Sequence, residues 1–136
     1  MTASELARSY LAKAVVRLKA LELFMQEEAW SDVIREAQEL VERALKAMLR
    51  QVGVDPPKWH DVGPILLQEA TLFPEPIRCE IGRLAEISAQ LRRERERAFY
   101  GDIKFIPTRE YTREDAQQAL NAARDCLAVA QRLIPS

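Results

Sequence analysis

Apolar residues recur along this chain with the three-to-four-residue period of amphipathic helices, without the alternation of strands. The first stripe is Leu6, Tyr10, Ala14, Leu18, Leu21 and Met25, which predicts a helix over about residues 4–26 with Ser4 as its N-cap. The second is Val33 or Ile34, Ala37, Val41, Ala44, Leu45, Met48 and Val52, which predicts a helix over about 31–52. Ser31 or Asp32 would cap its start, and Gly53 suits the left-handed position beyond its end. Val54 to His60 then forms a loop stiffened by Pro56 and Pro57. A short helix follows Asp61, with Pro64 in its first turn and Ile65, Leu66 and Ala70 inward. A fourth helix is predicted from about Glu75 to Phe99, on the stripe Ile77, Ile81, Leu84, Ser88 and Leu91. After Gly101-Asp102 the chain is extended, broken by Pro107. Thr112 followed by Asp115 marks an N-cap with an acidic first turn. The last helix covers about 112–134, with stripe Ala116, Leu120, Ala123, Leu127, Ala130 and Ile134, and Pro135 ends it.

Short connections between long amphipathic helices favour antiparallel neighbours. The expected fold is all-α: an up-and-down antiparallel bundle of four long helices plus one short helix, one domain over residues 1–136. The helices are too short and interrupted for a coiled coil.

One position breaks the fourth stripe. At about 100° per residue Arg95 falls directly over Ile77, so a guanidinium continues an apolar face. An unpaired buried charge costs several kcal/mol, so Arg95 must snorkel, pair, or face a polar cleft. It belongs to a cluster, Arg92-Arg93-Glu94-Arg95-Glu96-Arg97, which leads through Ala98 and Phe99 into Tyr100-Gly101-Asp102. A helix end opening into a loop on a rigid scaffold is a common place for function.

Composition narrows the chemistry. The chain has 136 residues and a formal net charge of −1, so bulk electrostatic attraction to nucleic acid is not expected, although a local basic patch is compatible with it. No apolar run approaches the roughly 18 residues that span a membrane, and the N-terminus lacks the basic-then-apolar pattern of a signal peptide. Cys79 and Cys126 read as two reduced, packed thiols of a cytoplasmic protein. The one histidine, His60, leaves no His-Glu-x-x-His or Glu-x-x-His metal pattern, and there is no Cys-x-x-Cys pair. Neither phosphate-cradling glycine motif is present. No metal and no cofactor is therefore expected.

Two stretches together resemble a known family. Glu42-Arg43-Ala44-Leu45-Lys46-Ala47-Met48-Leu49, then Gly53, then Lys58-x-His60-Asp61, is similar to the second helix and following turn of the HEPN domain (higher eukaryotes and prokaryotes nucleotide-binding). The Arg-x-x-Ala-x-Tyr-Gly-Asp segment from Arg95 to Asp102 is similar to that family's late arginine motif. The resemblance implies a helical bundle that forms a homodimer, binds nucleotide or RNA, and works with a nucleotidyltransferase-family protein in a toxin–antitoxin or defence system. Active members are metal-independent ribonucleases that use an Arg followed, after four to six residues, by a His. There the His moves protons and the Arg stabilises charge developing on phosphorus. In this chain Tyr100 stands where a His would follow Arg95, and no Arg lies five to seven positions before His60. A phenol with an ordinary pKa near 10 is a poor general base at neutral pH.

The resemblance thus implies a binding protein without the standard nuclease chemistry. Arg95, Arg97, Tyr100, Asp102 and Lys46 are its ligand-binding candidates, and Glu42 and His60 are secondary ones. Other readings stand beside it. Arg95 with Tyr100 or His60 could form a ribonuclease, or the chain could be a dimerisation or interaction module without enzymatic activity. Arg95 could also be structural, anchored on Asp102 or Glu42. Arg92 and Arg93 read equally well as a solvated helix end, and Glu42–Lys46 as a surface i, i+4 pair. Tyr10 reads as core.

Overall fold

The structure, a computed structural model, describes residues 2–58, 61–100, 106 and 110–135, with side chains omitted for 96–100. In chain order the helices are α1 (Ala3–Gln26), α2 (Trp30–Gln51), α3 (Gly63–Gln68), α4 (Glu75–Arg78), α5 (Ile81–Tyr100) and α6 (Arg113–Leu133). A 3-10 turn at Ala70–Leu72 joins α3 to α4. No strand occurs among the described residues.

Contacts at the helix ends fix the directions. Ala7 of α1, Ala47 of α2 and Ile134 beyond α6 cluster at one end of the bundle. At the other end Glu28, just past α1, pairs with Arg113, whose guanidinium covers the Trp30 ring that opens α2. The start of α5 pairs with the end of α6 through Glu80 and Arg132. Glu94, near the end of α5, accepts from Tyr111 just before α6. So α1 and α5 run one way and α2 and α6 the other, in the expected up-down-up-down order.

The second helix is the axis of the core. It packs against α1, α5 and α6, and its buried residues include Leu40, Ala47 and Leu49 as well as the predicted Ala37, Val41, Ala44, Leu45 and Met48. A helix enclosed on three sides needs apolar residues on more than one stripe. The outer helices keep narrower stripes. In α6, Ala116, Leu120, Ala123, Leu127 and Ala130 are all buried, and in α1 only Ala7, Ala14 and Leu21 are. Tyr10 is half-buried at the core's edge.

Three local expectations are corrected. Thr2, not Ser4, caps α1: its hydroxyl accepts from Glu5 N and Glu5 accepts from Thr2 N, both at 3.0 Å. The acid three residues on makes this box, and Ser4 has Ala7 in that place. Neither Ser31 nor Asp32 caps α2, which starts at Trp30 with Ala29 before it. The preceding turn is already used to close α1, because Ala29 N donates to Phe24 O and Glu28 N to Met25 O while Glu28 takes φ 57. The helix expected from Glu75 to Phe99 is two helices. Glu80 N bonds Ile77 O in a tighter turn, and Leu84 N resumes the helical ladder on Glu80 O. Pro76 and Gly82, both weak helix formers, flank this break. Gly53 follows α2 at φ 85, and the Thr112–Asp115 capping box opens α6, both as expected.

Candidate functional site

Where α2 faces α5, a polar strip remains on it. Gln38, Glu39, Glu42, Arg43 and Lys46 recur at the spacing that stacks side chains on one helix face. The strip faces the C-terminal half of α5, where Arg92 and Arg95 are likewise three apart. Between them opens a cleft of about 440 Å3, also lined by Tyr10 from α1 and Lys58 from the loop after α2.

The α5 stripe explains why Arg95 arrives there. Ile81, Leu84, Ser88 and Leu91 of α5 are all buried, as is Ile77 of α4 before the break. Ser88 donates to Asp61 Oδ1 at 3.0 Å, and the same oxygen accepts from Gly63 N at 3.1 Å, which pins α3 to α5. One turn later the face leaves the core. Arg95 emerges with its side chain 38% exposed and donates through Nη2 to Glu39 Oε1 at 2.9 Å. The partner is Glu39 and not Glu42, and Asp102 lies outside the described residues.

Glu42 is held by three groups. Its Oε1 lies 3.3 Å from Lys46 Nζ and 3.9 Å from Arg92 Nη1, and its Oε2 accepts from Gln38 at 3.1 Å. The cleft thus holds five cations, Arg43, Lys46, Lys58, Arg92 and Arg95, against two carboxylates. Three cations are paired. Arg43 and Lys58 make no ion pair among the described residues, and Arg43 Nε is buried without a hydrogen-bond partner. Arg95 Nε is in the same state. Unsatisfied buried donors cost about 1–3 kcal/mol each, so both guanidinium groups gain by turning onto an incoming oxyanion. Arg50 lies beyond, committed to Asp55 and to the Tyr10 ring 5.9 Å away.

On the other side of α5 lies a cleft of opposite sign. Ile34, Ile87, Leu91 and Ala119 line a space of about 380 Å3, with Glu94, Glu110 and Asp115 also on its wall and no Lys or Arg among its described lining. An anion is therefore steered to the α2–α5 side.

Of the residues singled out in the sequence, Lys46, Glu42 and Arg95 line one cleft. Arg97, Tyr100, Asp102 and His60 lie outside the described residues or side chains. Arg43, Glu39, Arg92, Lys58 and Tyr10 also line the cleft, and sequence reasoning missed them as site residues. The polar positions Glu39, Glu42, Arg43 and Lys46, interleaved with buried Leu40, Val41, Ala44 and Leu45, were the available signal. Among the described residues no three His, Cys, Asp or Glu side chains gather as metal ligands. No helix among them is long and apolar enough to cross a membrane.

This all-helical architecture, with a charged cleft against the late arginine of α5, has a family. The HEPN domain model matches residues 7–133, nearly the whole chain, and the protein belongs to that family. Membership supports a nucleotide-binding or ribonuclease-like domain. Comparison with curated proteins and with solved structures returned no match.

Proposed function

We propose that this HEPN domain binds a nucleotide or an RNA phosphate in the α2–α5 cleft and lacks the family's standard nuclease chemistry. The observation that carries the reading is Arg43: a half-buried guanidinium with no ion pair among the described residues, in a cleft with three net positive charges. Guanidinium matches the oxygens of phosphate in a two-pronged geometry, which makes Arg the fitting residue for such a ligand. Arg95, Lys46 and Lys58 add charge, and Tyr10 offers a ring edge to the organic part. The segment that resembles the family's late arginine motif has Tyr100 in the place of the proton-transferring His, which supports binding over cleavage.

Family resemblance supports the rest of the reading. The protein acts as a single-domain homodimer in the cytoplasm, with a nucleotidyltransferase-type partner in a toxin–antitoxin or defence setting.

Titration of the purified chain with adenosine monophosphate and with a short oligoribonucleotide tests the site. Arg43→Ala should weaken binding about tenfold or more, as expected for a charge-assisted hydrogen bond worth about 1.5–3 kcal/mol. For the oligoribonucleotide it should also reduce the salt dependence by about one phosphate contact. Binding unchanged in both Arg43→Ala and Arg95→Ala would move the ligand elsewhere. Cleavage of labelled RNA in chelator that vanishes in Arg95→Ala would replace binding with catalysis.

A further inference from the structure

The cleft is basic, yet two carboxylates stand inside it, within one helical turn of Arg43, which makes no ion pair among the described residues. Glu39 precedes Arg43 by four residues and Glu42 by one, and residues three or four apart on a helix have Cβ atoms about 5–6 Å from each other. We propose that Glu39 and Glu42 make this cleft selective for a nucleotide bearing one phosphate group and set it against di- and triphosphates. The inference rests on the reading of the cleft as a nucleotide site and names the class of nucleotide.

The argument follows the partners of each charge. Lys46 and Arg92 share Glu42, and Arg95 is held by Glu39. Arg43 and Lys58 have no carboxylate partner among the described residues, and they meet the ligand. One phosphate saturates them. A second would have to compete with a carboxylate for a cation already paired, or lie beside that carboxylate as a like charge. Like charges held a few ångströms apart in a partly desolvated cleft repel strongly, and unfavourable charges built against the wrong ligand are a general route to specificity.

The same carboxylates suit what a nucleotide carries next to its phosphate. Glu39 Oε1 accepts from Arg95, and Glu39 Oε2 has no hydrogen-bond partner among the described residues. Among the described residues nothing donates to that oxygen, and Arg43 Nε, which is buried, finds no acceptor. A sugar hydroxyl or a base amino group meets the first while the phosphate meets the second. The volume of about 440 Å3 agrees: it falls in the lower part of the roughly 300–1,000 Å3 range of small-molecule sites.

The test is calorimetric titration of the full chain with adenosine mono-, di- and triphosphate, without added metal, and with a short oligoribonucleotide. Wild type, Glu39→Gln, Glu42→Gln and Arg43→Ala are compared, and circular dichroism confirms that each variant is folded. The monophosphate should bind most tightly, with a loss of up to about fivefold for each added phosphate. Glu42→Gln, which frees Lys46 and Arg92, should bring the triphosphate to at least the affinity of the monophosphate. Glu39→Gln should narrow the same gap. The two sources of a single phosphate group separate in the wild type: a tighter oligoribonucleotide assigns the site to an RNA phosphodiester, and a tighter monophosphate to a free nucleotide. Triphosphate binding as tight as monophosphate in the wild type, or the same order of affinities in both Glu variants, overturns the selectivity while leaving the site. Failure of the underlying reading looks different, because then no nucleotide binds or Arg43→Ala binds them all unchanged. In that case the selectivity falls with it.

Discussion

Arg95 of α5 donates to Glu39 of α2 at 2.9 Å, joining residues 56 positions apart across the mouth of the cleft. Both side chains remain partly in water, at 38% and 24% exposure. Screening at such sites leaves an ion pair worth about 0–1 kcal/mol. The pair is therefore a weak strut, and breaking it should cost the fold little. Urea unfolding of Arg95→Ala and Glu39→Ala should show losses below about 1 kcal/mol each. A loss above about 2 kcal/mol in Arg95→Ala would make this arginine structural, and any binding defect in that variant would lose its meaning.

A second cross-link should cost more to remove. Tyr111 is buried, and its hydroxyl donates to Glu94 Oε2 at 2.8 Å. It fixes the chain entering α6 against α5, beside the acidic cleft. Tyr111→Phe keeps the ring and deletes the hydrogen bond, so stability should fall by about 1 kcal/mol. Chemical denaturation measures this directly, and an unchanged midpoint and slope would show that water replaces the hydroxyl at no cost.

The two cysteines should behave differently. Cys79 is exposed and Cys126 buried. Burial pushes the Cys126 thiol from the ordinary 9.0 up to about 12, with the Arg83 charge pulling weakly the other way. In the unfolded chain this thiol ionises above about pH 9, whereas in the folded chain it keeps its proton until about pH 12. The folded state thus binds the proton more tightly. Its contribution to stability is full below pH 9 and falls as the pH rises from there towards 12. Unfolding midpoints measured at about pH 8 and about pH 10.5 should drop less in Cys126→Ala than in the wild type. A thiol reagent should modify Cys79 in the native protein and reach Cys126 only on unfolding. Equal alkaline losses in wild type and Cys126→Ala would show that other groups set the slope.

The helical pattern was legible because each outer helix meets the core along one face. Ala116, Leu120, Ala123, Leu127 and Ala130 repeat at the period of the helix, and all are buried. Short-range chemistry was legible for the same local reason: Thr112 with Asp115 is a capping box, and Gly53 takes a positive φ. The Thr2–Glu5 box was equally present in the chain and was overlooked in favour of Ser4.

By itself, then, the sequence determined the four long helices, their order and the family, though not the break before Ile81 or the caps of the first two helices, since periodicity and motif spacing are properties of neighbours along the chain. It also placed Arg95 where an apolar face runs out. Only the tertiary structure decided what Arg95 meets. Glu39, Arg43 and Arg92 lie on solvent-like helix positions in one dimension, and they become a cleft because α2 is wrapped by three helices and α5 packs beside this polar strip. Charge pairing between elements depends on distances that no local pattern encodes. Which cation finds a carboxylate among the described residues was settled by packing, through the few ångströms that separate Glu39 and Glu42 from their neighbours.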